Sequence, residues 1–471
     1  MTDENTQRRQ VPIFVRLVRD DTLGIHSGFS AGRDPLELAR RPRKQKDPDE
    51  NPKPEEEGAK NAASRFDDAV ASFSEDMLAF LVAADRHFAL DRMVSAIEVE
   101  AGLKPKLEAA GRKIKERPGY TLYAIAEEHL HIVDRAAIAF HTARVFTRFM
   151  PKMLLAALIA RYDAFLAQLI EALFYSKPEM ARGLASKISF EEILDLGSIE
   201  DARRFMVERE AENVLRNSHD EQLKWFEEVT KLKTRKHITN YAAFIELCER
   251  RNLLVHTDGR VSSTYLNNLA RHGIPSDELK VGDQLHVSRQ YYGDAVAKLI
   301  EVGTKLALSC WEKFAPGERE KLESRLIHLT FELIVHRHYK LAVNVLAYVL
   351  DNKKTWADDD NRLICLMNYA NAMKLSGDSE EAARILSTDD WSTKDRLFRV
   401  CVAAVRDDVE ECVLQMKALG VSKQLTASAY KFWPVFKNVK EDARFVSAVK
   451  DIYGDDALLL QNQEVLSEEK S

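Results

Sequence analysis

The amino-acid sequence predicts an all-α protein, with a helical bundle in the middle of the chain and an array of α-α hairpins after it. Three observations carry that expectation. Apolar residues recur at spacings of three and four from Arg65 onward. Pro151 and Ser288 stand where helices begin. Beyond Pro316-Gly317 the chain runs in short helical stretches of about a dozen residues, divided by turn signals.

The 471 residues exceed a single small module and allow about three domains. Hydrophobic residues at 45% and charged ones at 31% describe an ordinary soluble protein with apolar mass for real cores, which excludes global disorder. Lys plus Arg number 69 and Asp plus Glu 75, a net charge of −6, so contact with a polyanion must come from a local cluster. Met1-Thr2-Asp3-Glu4 is acidic and precedes no apolar core, unlike a signal peptide. The longest apolar candidate, Met153 to Ala160, stops at Arg161 and Asp163, so no membrane contact and a cytoplasmic location are expected. Cys248, Cys310, Cys365, Cys401 and Cys412 form no Cys-x-x-Cys pair and read as buried, reduced thiols.

Residues 1–64 read as a mostly disordered, proline-rich and charged segment ending in a linker, Pro42 to Glu57. Within it, Val11 to Val18 could pair as one short strand or order only on binding. Residues 65–150 read as helical, with Met77, Phe80, Leu81 and Ala84 on one face and a break at Arg117-Pro118-Gly119. Residues 151–315 form the bundle. Its first helix runs from Pro151 to Phe174 behind a first-turn proline, with Leu154, Leu155, Leu158, Tyr162, Phe165 and Leu169 on one stripe. A charged helix follows at about Asp201 to Lys231, then one from Ile238 to His256. After these come a turn at Gly273 to Asp277, a short extended piece at Val281, Leu285 and Val287, and a closing helix capped by Ser288. Residues 317–465 are the hairpin array.

The helix from Ile238 to His256 carries the chemistry. Its apolar stripes pass through Arg251 and Asn252, whereas Glu246 and Arg250 pair on the solvated face, so Arg250 is read as surface and Arg251 as not. A charge on an apolar face costs several kcal/mol unless a partner or polar cleft receives it. His256 ends the helix just before Gly259, a good C-cap, where the helix dipole keeps imidazole in its proton-exchanging range. A guanidinium can hold a phosphate and stabilise a phosphorane. An imidazole can move protons at the 2′-hydroxyl and the leaving 5′-oxygen, and no metal or other cofactor is required.

Arg251-Asn252-Leu253-Leu254-Val255-His256 resembles the Arg-x(4–6)-His signature of HEPN domains, including the polar residue directly after the arginine. The helical order resembles that family too: a long opening helix with an acidic residue midway (Asp163), the motif helix, a turn and extended stretch containing Tyr265, and a closing helix. The resemblance covers about a third of the chain. It implies a metal-independent endoribonuclease of toxin–antitoxin or phage-defence type, with RNA as substrate and a homodimer whose two motifs meet at one cleft. Arg251 and His256 would be the catalytic pair and Asn252 would orient them. Dimerisation answers a geometric objection, because five residues at 100° set Arg251 and His256 about 140° apart on one helix.

Asn368 to Asp378 and Glu380 to Leu386, with small residues at Ala370 and Ala382 and a Gly377-Asp378 turn, resemble a tetratricopeptide repeat. That implies a groove for a protein or peptide partner. Lys231, Lys233, Arg235 and Lys236 precede the motif helix and could contact RNA phosphates or form a solvated loop. Glu128-His129-Leu130-His131 lacks the second Glu-x-x-His that a di-iron bundle needs, and no metal is expected. The alternatives are a non-catalytic dimeric adaptor and an RNA-binding scaffold. In the plainest case Arg251 pairs with Asp163 and His256 only caps its helix.

Overall fold

The structure, a computed structural model, describes residues 14–20, 25–32, 65–82, 104–117, 120–125, 130–183, 188–353 and 355–455. The chain divides into two compact units, Met1–Lys60 and Asn61–Ser471. In the first, β1 (Phe14–Asp20) pairs antiparallel with β2 (Ile25–Gly32), from Phe14 opposite Gly32 to Asp20 opposite Ile25. The strand expected from Val11 thus begins at Phe14 and has a partner that the sequence does not announce. β2 holds two glycines and two serines, residues of low strand propensity, and takes its conformation from pairing. The linker Pro42 to Glu57 lies outside the described residues.

The second unit is largely helical. It opens with α1 (residues 65–82) and α2 (Lys104–Ala110). A hairpin of β3 (Gly111–Arg117) and β4 (Tyr120–Ile125) corrects the expectation of helix with a mere break there. Pro118-Gly119 sits between two short runs rich in Tyr, Thr, Lys and Ile, and the alternation Lys113-Ile114-Lys115 has the period of a strand. α3 (Leu130–Ser176) follows. The helix expected to start at Pro151 instead carries that proline inside a 47-residue rod, about 70 Å long. An interior proline loses one backbone hydrogen bond and usually ends or bends a helix. The helix formers on both sides outweigh it here.

Next come α4 (Phe190–Leu196), α5 (Ile199–Leu215), α6 (His219–Thr230), α7 (Tyr241–Thr257), α8 (Ser263–Arg271) and α9 (Arg289–Phe314). The single charged helix expected near Asp201 to Lys231 is two, because Ser218 and Glu221 form a capping box that starts α6. α8 replaces the first part of the expected turn and extended stretch, and Tyr265 lies on it. The extended residues around Leu285 make only an isolated bridge, Arg260 to Gln284. Ser288 caps α9 as expected, accepting from the Tyr291 amide.

α3 packs against α5, α7 and α9 and buries Leu155, Leu158, Ile159, Tyr162, Phe165 and Leu169. By length and composition Arg148–Ser176 could cross a membrane, which the uninterrupted apolar run did not suggest. α1 lays Phe73 against Phe165 at 4.2 Å between ring centroids. The Phe73 ring also lies over Gly303 of α9, where a Cβ would collide with it. The apolar core continues without interruption past Pro316 into α10 (Arg319–Val335), α11 (Tyr339–Asn352) and α12 (Asp359–Leu375). A second core gathers residues of α12, α13 (Ser379–Leu386), α14 (Arg396–Val405), α15 (Val409–Leu419), α16 (Ala427–Phe432) and α17 (Ala443–Tyr453). Neighbouring helices pair in sequence, α12 with α13 and α14 with α15, while α10, α12 and α14 also touch one another in succession.

Candidate functional site

α7 and the middle of α3 build the site together. The apolar stripe of α7, with Phe244, Leu247, Cys248 and Leu254 buried, turns the Arg251 side of the helix toward α3. There the Asp163 carboxylate stands between two nitrogen bases. Its Oδ2 accepts from Arg251 Nη2 at 3.4 Å, and its Oδ1 lies 2.9 Å from His219 Nε2. Arg251 Nη1 donates to Asn252 Oδ1 at 3.1 Å. Arg251 Nε is buried without a hydrogen-bond partner. The Arg251 and Asp163 side chains are 26% and 24% exposed, so the guanidinium is reachable from solvent on one side.

His219, the first residue of α6, is the member that sequence reasoning missed. Its ring packs near Tyr162 and edge-on to Phe244. Burial opposes its charge, but Cys248 and the Asp163 carboxylate outweigh burial and push its pKa up to about 10. The charge-assisted His219–Asp163 contact fixes Asp163 from the side opposite Arg251. Tyr162 is held well above its ordinary pKa by burial, with Cys248 and Asp163 adding to it. The only sequence signal for His219 was a histidine at a capped helix start, and nothing in the spacing tied it to a residue 56 positions away.

His256 is exposed at the last turn of α7, and among the described residues it has no hydrogen-bond or ionic partner. No contact joins it to Arg251 within one chain. The helix ends at Asp258 in the left-handed region, whose amide bonds Leu253 O, and Gly259, also left-handed, follows. Lys152 of α3 donates to Asp258 Oδ1 at 2.6 Å, fastening this end of α7 to α3. Val255, one residue before His256, is 53% exposed, and Phe149 and Met153, within one turn of Lys152 on α3, are comparably open.

Other expected residues fall elsewhere. Tyr265 donates to Glu246 Oε1 at 2.8 Å, and Tyr291 to Glu246 Oε2 at 2.8 Å. Arg250 pairs with Glu246 as expected, yet at 17% side-chain exposure it is not the surface residue that the helical wheel suggested. Its guanidinium stacks over the Tyr291 ring at 4.0 Å, so α9 covers the face taken to be solvated. Of the basic run, Lys231, Lys233 and Lys236 are exposed, but Arg235 is bound to Glu227 at 2.8 Å and Asp220 at 3.1 Å. Arg235 is therefore committed to internal carboxylates. Among the described residues no group of three His, Cys, Asp or Glu side chains could hold a metal ion. All five cysteines are buried and unpaired.

Comparison of the chain with family models, curated proteins and solved structures finds no match.

Proposed function

We propose that the protein is a metal-independent endoribonuclease of HEPN type, acting as a homodimer, with the C-terminal hairpin helices as a partner-binding arm. One observation carries the reading: Arg251, on the motif helix, is held at a solvent-reachable position by Asp163 and Asn252 and keeps a buried, unbonded Nε. A phosphate oxygen is a suitable acceptor for that guanidinium. His256 is open and unpartnered at the helix end, next to the apolar surface of Val255, Phe149 and Met153. A second copy covering that surface would bring one chain's His256 toward the other's Arg251, which a single helix cannot do. In the reaction an imidazole takes the proton of the ribose 2′-hydroxyl, the oxygen attacks the adjacent phosphorus, and the guanidinium stabilises the phosphorane. The 5′-oxygen then leaves with a proton from an imidazolium, and a 2′,3′-cyclic phosphate remains. Restriction of RNA, as in phage defence or a toxin system, is the setting that the HEPN resemblance implies.

A second reading also has an observation behind it. Arg251 is already paired with Asp163, so the same bundle could serve as a dimeric adaptor or RNA-binding scaffold without cleavage. Purified protein incubated with structured RNA in excess EDTA separates the two. Cleavage with cyclic phosphate ends, lost in Arg251→Ala and His256→Ala while melting and dimerisation persist, is the expected result. Equal cutting by both variants, or intact RNA throughout, would overturn the nuclease reading.

A further inference from the structure

Arg251 is loosely held. Its ionic contact, Nη2 to Asp163 Oδ2, is 3.4 Å long, whereas Arg250 Nε reaches Glu246 at 2.6 Å and Arg235 Nη2 reaches Glu227 at 2.8 Å. Nη1 donates to the neutral carboxamide of Asn252, and Nε is buried without a partner. The shorter contact to Asp163 belongs to His219, whose Nε2 lies 2.9 Å from Oδ1. One carboxylate cancels one cation, not two. With the imidazole protonated, His219, Asp163 and Arg251 together carry one net positive charge, and Arg251, whose side chain is 26% exposed, is where an anion meets it. With the imidazole neutral, Asp163 cancels Arg251 and the site has no charge to offer.

Four side chains face the His219 ring: Tyr162 and Asp163 from α3, Phe244 and Cys248 from α7. The two rings help to shut out water. Asp163 and Cys248 hydrogen-bond the imidazole, and together they outweigh the cost of burying its charge. At 8% exposure His219 is too enclosed to meet a substrate, so any effect it has on the site passes through Asp163. We propose that His219 is a positioning residue which, by taking up the charge of Asp163, keeps the Arg251 guanidinium available to a phosphate. The identity of that phosphate, one in an RNA backbone, rests on the ribonuclease reading, which this assignment deepens.

His219→Gln keeps a donor toward Asp163 and removes the charge. Full-length wild type, His219→Gln and the double variant His219→Gln with Asp163→Asn are titrated at pH 7 with two anions. One is a single-stranded 2′-O-methyl RNA, which offers phosphates but no attacking hydroxyl. The other is inorganic pyrophosphate. His219→Gln should weaken RNA binding about tenfold and lower the salt slope by ~0.7, the share of one phosphate contact on a single strand. The double variant should regain most of the lost affinity, because removing the carboxylate frees Arg251 again. A merely structural role for His219 predicts no such recovery. Equal binding of both anions by wild type and His219→Gln, or no recovery in a double variant that melts cooperatively, overturns the proposal. A measurement on the wild type alone guards against misfolded variants. Among its 13 histidines, labelled with nitrogen-15, one ring should remain protonated at both nitrogens at pH 8.5, well above the ordinary imidazole range. Absence of such a ring overturns the proposal whether or not any variant folds. If wild type ignores RNA while pyrophosphate shows the same loss and recovery, the ribonuclease reading falls and the role of His219 stands. Binding of neither anion by wild type removes both.

Discussion

Asp163 is the pivot of the site, since its carboxylate meets Arg251 on one oxygen and His219 on the other. Asp163→Asn would leave two cations facing a neutral amide. It should cost about 2 kcal/mol of stability, a value reduced by the partial exposure of the pair, and should loosen Arg251. Thermal melting and RNA affinity would read the two effects separately. His219 makes stability depend on pH. Its pKa is raised on folding from the ordinary 6.5 to about 10, so its contribution is complete below about pH 6.5 and disappears as pH rises through about 10. Melting temperature should therefore fall across that interval, and His219→Gln should flatten the decline. A decline of equal slope in the variant would place its cause elsewhere. Of this site, Arg251, Asn252 and Asp163 were legible in the sequence, because polar residues on an apolar stripe demand a partner. His219 was not, because its contact depends on how α6 crosses α3.

Helix boundaries were less legible than helix existence. Pro151 looks like a start because the first turn is where proline costs least, yet α3 runs through it. Pro151→Ala should then restore a missing backbone hydrogen bond and raise stability by about 1–2 kcal/mol, part of proline's interior penalty being offset through the unfolded chain. A loss of stability would indicate a true helix start. The docking of α1 gives a second prediction. Gly303→Ala would drive a methyl into the Phe73 ring and should cost about 2 kcal/mol, partly recovered by Phe73→Leu. The β3–β4 hairpin and α8 were misread for a common reason. Short elements are decided by the partners they meet, and residue spacing over six to nine positions cannot distinguish them.

At the scale of the whole molecule, apolar spacing indicated a largely helical protein and composition indicated real cores, whereas the continuity of the core past Pro316 was hidden by a Pro-Gly turn that resembles a boundary. The exposed apolar residues Phe149, Met153 and Val255 bear on assembly. If this surface is shared between two copies, Phe149→Glu with Met153→Glu should shift the protein from dimer to monomer in sizing chromatography and abolish any RNA cleavage while melting changes little. An unchanged elution volume would remove this face from the dimer. The distribution of cysteines has one more consequence. Cys310 and Cys365 lie in the first core and Cys401 and Cys412 in the second, each with burial pushing its thiol upward. Alkylating reagents should find them only during transient openings. Timed labelling, resolved by peptide mass, would thus act as a pair of internal clocks, revealing whether the carboxyl-terminal helices breathe on their own or only together with the bundle.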